Sequence, residues 1–260
     1  MTTSPFDLTG RNAVITGSTK GIGKAIAQLF ADLGARVVIS SRNAGRCDVV
    51  AAEINARYPG RAIAIPASIG VKADLERLTC EAESALGSVD ILVLNAATNP
   101  FYGSMSEISD DQFRKVLENN LLGAHWLIQF LLPGMIARRR GNIIIISSIG
   151  GLRGTAVIGA YNMSKAADFQ LARNLAIEVG KHDIRVNCIA PGMVKTDFAR
   201  EIWENEEHMR RVIADTPLGR IGDPRDIAGV AAFLASDASR FVHGQTIVAD
   251  GGVTVTISGI

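Results

Sequence analysis

The sequence predicts a single-domain α/β protein built on a doubly wound sheet of parallel strands. Three observations carry that prediction. Short apolar, β-branched runs recur without polar alternation, as strands covered on both faces require. Helical patterns separate them, so successive strands pair in parallel through right-handed crossovers. No linker or charge block divides the 260 residues, so 1–260 reads as one domain.

The first strand is "NAVIT" (12–16), and a helical pattern, "GKAIAQLFADLGA" (23–35), follows it. "RVVIS" (36–40) and "AIAI" (62–65) are the second and third strands, and "ADLERLTCEAESALG" (73–87) is the next clear helix. "DILVL" (90–94), "NIIII" (142–146), "IRVNCIA" (184–190) and "QTIVA" (245–249) complete a set of seven strands. Two helices are longer than the rest, over 109–138 and 158–180. Between the last two strands, 196–217 is amphipathic, with Phe198, Ile202, Trp203, Met209, Val212 and Ile213 among charges. It is a candidate substrate lid; the competing reading is an ordinary surface helix pair.

Composition excludes several functions. The formal net charge is +1, and the one compact basic cluster is "RRR" at 138–140, where a helix should end. Cations suit a helix C-terminus, so the cluster reads as a solvated helix end. No basic stripe marks a nucleic-acid partner. The three cysteines form no C-x-x-C pair, which fits a reducing compartment, and Cys188 reads as a core filler. His125, His182, His208 and His243 show no ligand spacing, so no metal site is expected. No apolar signal core opens the chain and no apolar run looks long enough to span a bilayer, so the expectation is a cytoplasmic protein with no membrane partner.

Chemistry begins at "TGSTKGIGKAIA" (16–27), which leaves the first strand and opens the first helix. Gly17, Gly21 and Gly23 are spaced G-x-x-x-G-x-G. Such a turn lets backbone approach a pyrophosphate while a helix N-terminus faces the phosphates. The alternative is a purely structural turn. Gly17, Ser18, Lys20, Gly21, Ile22 and Gly23 are the candidate contacts. The second strand ends "VVISSRN", so Ser41, Arg42 and Asn43 stand where a carboxylate would meet the ribose 2′-hydroxyl of NAD(H). Arg42 and Lys20 suit a 2′-phosphate instead, which favours NADP(H). Taken singly, each could be a solvated surface cation.

Tyr161 and Lys165, in "YNMSK", lie four apart and so share a helix face. An ammonium beside a phenol favours the phenolate, which equips the phenol as a general acid or base. Ser148 falls just past the fifth strand, at the strand ends where ligands sit in open α/β sheets, and could hold a carbonyl oxygen. Y-x-x-x-K alone carries little information; the glycine turn and the serine give it weight.

With "NAA" (95–97), "ENNLLG" (118–123), "ISS" (146–148), "APGMVKT" (190–196) and "DGG" (250–252), these motifs resemble the short-chain dehydrogenase/reductase family along essentially the whole chain. The resemblance implies a Rossmann-type fold of seven parallel strands, and a homotetramer built partly on the two long helices. It implies that Ser148 polarises substrate, Tyr161 is the acid/base, Lys165 tunes it and binds the nicotinamide ribose, and Asn120 supports a water-mediated proton relay. Pro191, Gly192 and Val194 would line the nicotinamide pocket, with Thr196 near the carboxamide. Asn95 would stabilise the central sheet and, with Ala96 and Ala97, pass the adenine ribose.

Three positions depart from the family pattern. Ala97 stands where a glycine is usual. Ser68, beside Ile69 in "PASIG", replaces an adenine-contacting aspartate, and Asn119 precedes Asn120 where an apolar residue is common. The first two put the adenine side in doubt. The sequence looks most like the NADP-dependent carbonyl reductase and retinol dehydrogenase-like branch, which implies a small-molecule carbonyl substrate, an apolar ketone or aldehyde. The alternatives are a 3-oxoacyl thioester reductase and, more remotely, a cofactor-binding protein without turnover. Phe101 and Tyr102, with Phe198, Trp203 and Met209, suggest an apolar pocket.

Overall fold

The computed structural model describes residues 4–199 and 203–256. Seven strands, β1 (Asn12–Thr16), β2 (Arg36–Ser40), β3 (Ala62–Ala64), β4 (Ile91–Leu94), β5 (Gly141–Ile146), β6 (Ile184–Pro191) and β7 (Thr246–Ala249), form one sheet in the order β3-β2-β1-β4-β5-β6-β7. Every pairing is parallel. Each strand lies within one residue of its sequence expectation. The strands are apolar throughout because each pleat face has its own cover. In β1, Ala13 and Ile15 pack into one core with Ile26 and Phe30, while Val14 packs into the other with Leu75, Leu78 and Leu127.

Helix α1 (Gly21–Asp32) lies against α8 (Pro224–Ala235) on one face. On the other, α3 (Lys72–Leu86) meets α5 (Gly123–Arg138). The other described helices are α2 (Ala44–Arg57), α4 (Asp110–Leu117), α6 (Gly159–Val179) and α7 (Glu206–Ala214). Between β1 and β4 the strand order reverses, which opens a crevice at the strand C-termini.

The helix expected over 109–138 is interrupted. Helix α4 (Asp110–Leu117) starts in a reciprocal Ser109–Gln112 capping box, then a π-turn, Glu118–Leu122, inserts before α5. The expectation that no apolar segment could span a bilayer is also corrected. Asp110–Arg138 is 29 residues long and contains an 18-residue window with a mean hydropathy of 1.3, enough by length and composition. Its apolarity is used in packing: Leu127, Leu131 and Met135 are in the core. The arginine cluster is anchored, not merely solvated. Arg138 donates to Val89 O and Arg139 to Lys181 O, while Arg140 pairs with the buried Asp90 at 3.2 Å. Cys188 is a core residue, as expected.

Candidate active site

Four elements converge at the crevice: the glycine turn after β1, the loop after β4, the π-turn, and the N-terminal half of α6 with the β5 end beside it. The glycine turn is shaped by packing. Gly17 has φ +65°, and a Cβ on Gly23 would run into the Gly17 carbonyl oxygen and lie 2.5 Å from Asn95 Nδ2. Asn95 Nδ2 donates to Thr16 O at 2.9 Å and Gly17 O at 3.2 Å, and Asn95 N donates to Thr16 Oγ1 at 3.0 Å. Asn95 therefore ties β4 to the turn, as the resemblance implies. Ala96 and Ala97 continue the same loop; Ala96 N also donates to Thr16 Oγ1.

The N-cap of α1, Lys20, gives no side-chain cap. The first amides of α1 are left for an external acceptor, and a helix N-terminus favours an anion. Ser18 is fully buried and its hydroxyl is occupied, donating to Ile15 O at 2.7 Å and accepting from Ser40 N at 2.8 Å. Its amide also donates to Ser40 O at 3.1 Å, so the residue braces β1 against β2 and neither its hydroxyl nor its N–H is left for a ligand. Asn43 caps α2 by accepting from Arg46 N, and the Ser41 hydroxyl accepts from Asn43 N. Arg42 between them is exposed. Lys20 is held 3.3 Å from Asp197, across the crevice from its own turn. Ser68 N donates to Asp74 Oδ2, which steadies the β3 loop, and Ile69 is half-buried against the core.

Asn120 is buried and knits three segments together. Its Oδ1 accepts from Thr98 N at 2.8 Å; its Nδ2 donates to Thr98 O and to Ser164 Oγ, both at 3.0 Å. Ser164 Oγ in turn donates to Tyr161 O at 2.7 Å. Asn119 donates to Thr98 Oγ1, while its Oδ1 is buried without a partner among the described residues. The π-turn lets both asparagines face inward, a device frequent at functional sites.

Ser148 lies two residues past β5 and accepts from Gly150 N at 3.0 Å, opening the short 3₁₀ turn Ile149–Gly151. A Cβ on Gly151 would lie 2.7 Å from the Lys165 backbone, so this turn seats directly on α6. The Ser148 proton goes to no acceptor among the described residues, leaving the hydroxyl able to donate outward. Lys165 is buried with its Nζ 5.7 Å from the centre of the Tyr161 ring. That Nζ donates to Ile146 O at 2.9 Å and to Asp168 Oδ2 at 3.2 Å. Burial works against the Lys165 ammonium, but Asp168 and Tyr161 outweigh it and hold the lysine above its ordinary value. Burial also pushes the Asp168 carboxyl up, against the pull of Lys165.

Pro191, which ends β6, and Val194 beyond it are buried, and Gly192 sits against Asp250, where a Cβ would lie 2.7 Å from its Cα. Thr196 packs on the glycine turn, with its Cγ2 3.1 Å from where a Gly21 Cβ would be. Trp203 Nε1 donates to Thr196 O at 2.7 Å. The Phe198 ring lies 5.7 Å from that of Tyr161. Phe198 and Trp203 thus reach the crevice, whereas Ile202 lies outside the described residues. Phe101 is half-buried, but Tyr102 is 60% exposed, so the loop after β4 contributes less apolar wall than expected.

Ile22, in the first turn of α1, packs against the core, with its amide among the uncapped ones. Sequence reasoning missed Thr98, Ser164 and Asp168. Asp168 carried a signal: at i+3 from Lys165, it shares that residue's face.

A family model described as Enoyl-(Acyl carrier protein) reductase matches residues 17–254. The chain is 37% identical over 246 residues to Dehydrogenase/reductase SDR family member 4 of Oryctolagus cuniculus, covering 94% of each. It is 40% identical over 245 residues to the human Dehydrogenase/reductase SDR family member 2, mitochondrial, covering 94% of this chain and 86% of that one. Among solved structures it resembles a gluconate 5-dehydrogenase from Burkholderia cenocepacia in complex with NADP and tartrate, at TM-score 0.93 and 32% identity over 97% of this chain and 98% of that one. A 7 alpha-hydroxysteroid dehydrogenase complexed with NADH and 7-oxo glycochenodeoxycholic acid superposes at TM-score 0.92 with 37% identity, covering 97% of this chain and 98% of that one.

Proposed function

The chain belongs to the short-chain dehydrogenase/reductase family and is an oxidoreductase; on that premise we propose that it reduces apolar ketones or aldehydes with NADPH, using Tyr161 as the general acid. The observation that carries the reading is the Ser148–Tyr161–Lys165 arrangement: a free serine proton at the end of β5, and a phenol 5.7 Å from a buried ammonium on α6.

The uncapped first turn of α1 fits a pyrophosphate, and Arg42 at the end of β2 fits a 2′-phosphate. Similar proteins hold NADP or NADH, so Arg42 is what favours NADP(H) over NAD(H) here. Bound nicotinamide supplies the hydride. Ser148 donates its hydrogen bond to the carbonyl oxygen and orients it. Tyr161 gives its proton to that oxygen as negative charge develops there. The Lys165 ammonium stabilises the phenolate that remains, and its free N–H suits a ribose hydroxyl. Asn120 holds the π-turn, the Thr98 loop and α6 in register, at the place where a proton relay would start. Gly21, Ile22, Asn95, Ala96, Pro191, Gly192, Val194 and Thr196 line the cofactor path.

Phe198 and Trp203 act as a lid that closes an apolar pocket over Tyr161. Exposed apolar side chains at Ile177 on α6 and Phe241 before β7 support self-association, as in a homotetramer. The three unpaired cysteines fit a reducing cytoplasm.

NADPH oxidation by purified protein, against apolar ketones, diketones and aldehydes, tests the reading. Tyr161→Phe should bind NADPH normally and lose about 10²–10⁴-fold in kcat, the usual worth of a positioned proton donor. A Tyr161→Phe variant as fast as the parent sinks it. The matching family model's description favours a second reading, an acyl-thioester substrate. Turnover of 3-oxoacyl thioesters alone would select it.

A further inference from the structure

Lys165 sits where an ammonium is costly. Its side chain is 5% exposed and that of Asp168 is 2% exposed. Unpaired, a buried lysine tends to shed its proton. Asp168 is three residues along the same helix face, with Oδ2 3.2 Å from Nζ. The ammonium has three donors. One is taken by Ile146 O at 2.9 Å and one by Asp168, so the third is left for the crevice. The helix backbone that carries the pair is held in place, because Cys188 Sγ donates to the Asp168 backbone carbonyl at 3.3 Å and the Ser147 hydroxyl donates to Lys165 O at 2.7 Å. Other groups face the pair: Tyr161 from α6, the Cys188 thiol from β6, and uncharged Ile146 O, Ser147, Asn119 and Asn120 from β5 and the π-turn.

We propose that Asp168 is a positioning residue for the reaction: the buried counter-charge that keeps Lys165 an ammonium and aims its remaining N–H at the crevice. The inference rests on the proposed function for its catalytic meaning, but not for its test. Proton transfer leaves Asp168 unchanged; it acts only through Lys165.

The test uses cofactor-free full-length protein labelled with ¹³C at lysine Cε, the Lys165 resonance being assigned with Lys165→Arg. The pH titration of that resonance is compared between wild type and Asp168→Asn, which keeps the shape and removes the charge. The expected result is a Lys165 proton affinity about tenfold lower or more in the variant. The NADPH Kd, measured by fluorescence, should weaken in step with loss of the ammonium as pH rises. Asp168→Ser, with room for a water, substitutes if the asparagine variant does not fold. An unchanged Lys165 titration, even with a lower Tm, overturns the proposal and leaves Asp168 a packing residue. If no carbonyl compound is turned over, the proposed function fails, while the resonance still decides the role of Asp168.

Discussion

Replacing Asn120 with alanine separates what this side chain does for the fold from what it does for the reaction. The side chain is buried and makes three hydrogen bonds: from Thr98 N, to Thr98 O and to Ser164 Oγ. A buried polar group left alone costs about 1–3 kcal/mol. Thr98 is only half-buried, so water recovers part of the loss, and Ser164 Oγ keeps its own donation to Tyr161 O. The lower part of the range, about 1 kcal/mol, therefore applies to each of the two Thr98 groups, and Asn120→Ala should destabilise by about 2 kcal/mol in total. Urea unfolding followed by circular dichroism reads this as a lower midpoint at unchanged slope. Ser164→Ala completes a double-mutant cycle, with coupling of at least about 0.5 kcal/mol expected for partners in direct contact. A loss below about 0.5 kcal/mol for Asn120→Ala would refute the claim that this residue knits the three segments.

Three further outcomes follow from the same geometry. Arg42→Ala should weaken NADPH binding about tenfold or more, the worth of a charge-assisted contact, and leave NADH binding unchanged by isothermal titration; equal losses for both would remove Arg42 from the 2′-phosphate. Phe198→Ala should raise KM for apolar carbonyls more than it lowers kcat, since the ring stands beside Tyr161 without a proton to give; steady-state kinetics would show it. Because Asp168 and Tyr161 hold the Lys165 ammonium above its ordinary value against burial, that stabilisation is whole below the ordinary lysine value and is lost as pH rises through the higher folded one. The stability difference between wild type and Lys165→Met should therefore shrink in strongly alkaline urea titrations.

The strands were legible because each is an apolar run bounded by polar residues, and burial on both faces leaves no other reading. The glycine turn and Ser148 were legible for a related reason: a chemical group at the end of a strand has few structural explanations. The π-turn was not legible. "ENNLL" has no residue that forbids an ordinary helix, and the extra residue per turn is set by contacts with Thr98 and Ser164. Ser18 looked like a ligand residue because its neighbours do; that its hydroxyl is spent on β1 and β2 depends on how two strands meet. Asp168 reads in sequence as the polar face of an amphipathic helix, and only the packing of β6 on α6 makes it buried. Likewise, Lys20 meets Asp197 across 177 positions of chain, a distance no local pattern spans.

The π-turn has a consequence for how the long helical stretch answers to its surroundings. An inserted residue resets the angular phase of everything downstream, so α4 and α5 need not obey one common apolar stripe. Upstream, α4 buries Val116 alone and keeps its charged residues outward. Downstream, α5 is free to turn Leu127, Leu131 and Met135 into the core. One continuous rod thus serves two masters with different orientations, and Asn119 and Asn120 stand at the phase break, facing a direction that neither uniform helix would give both of them.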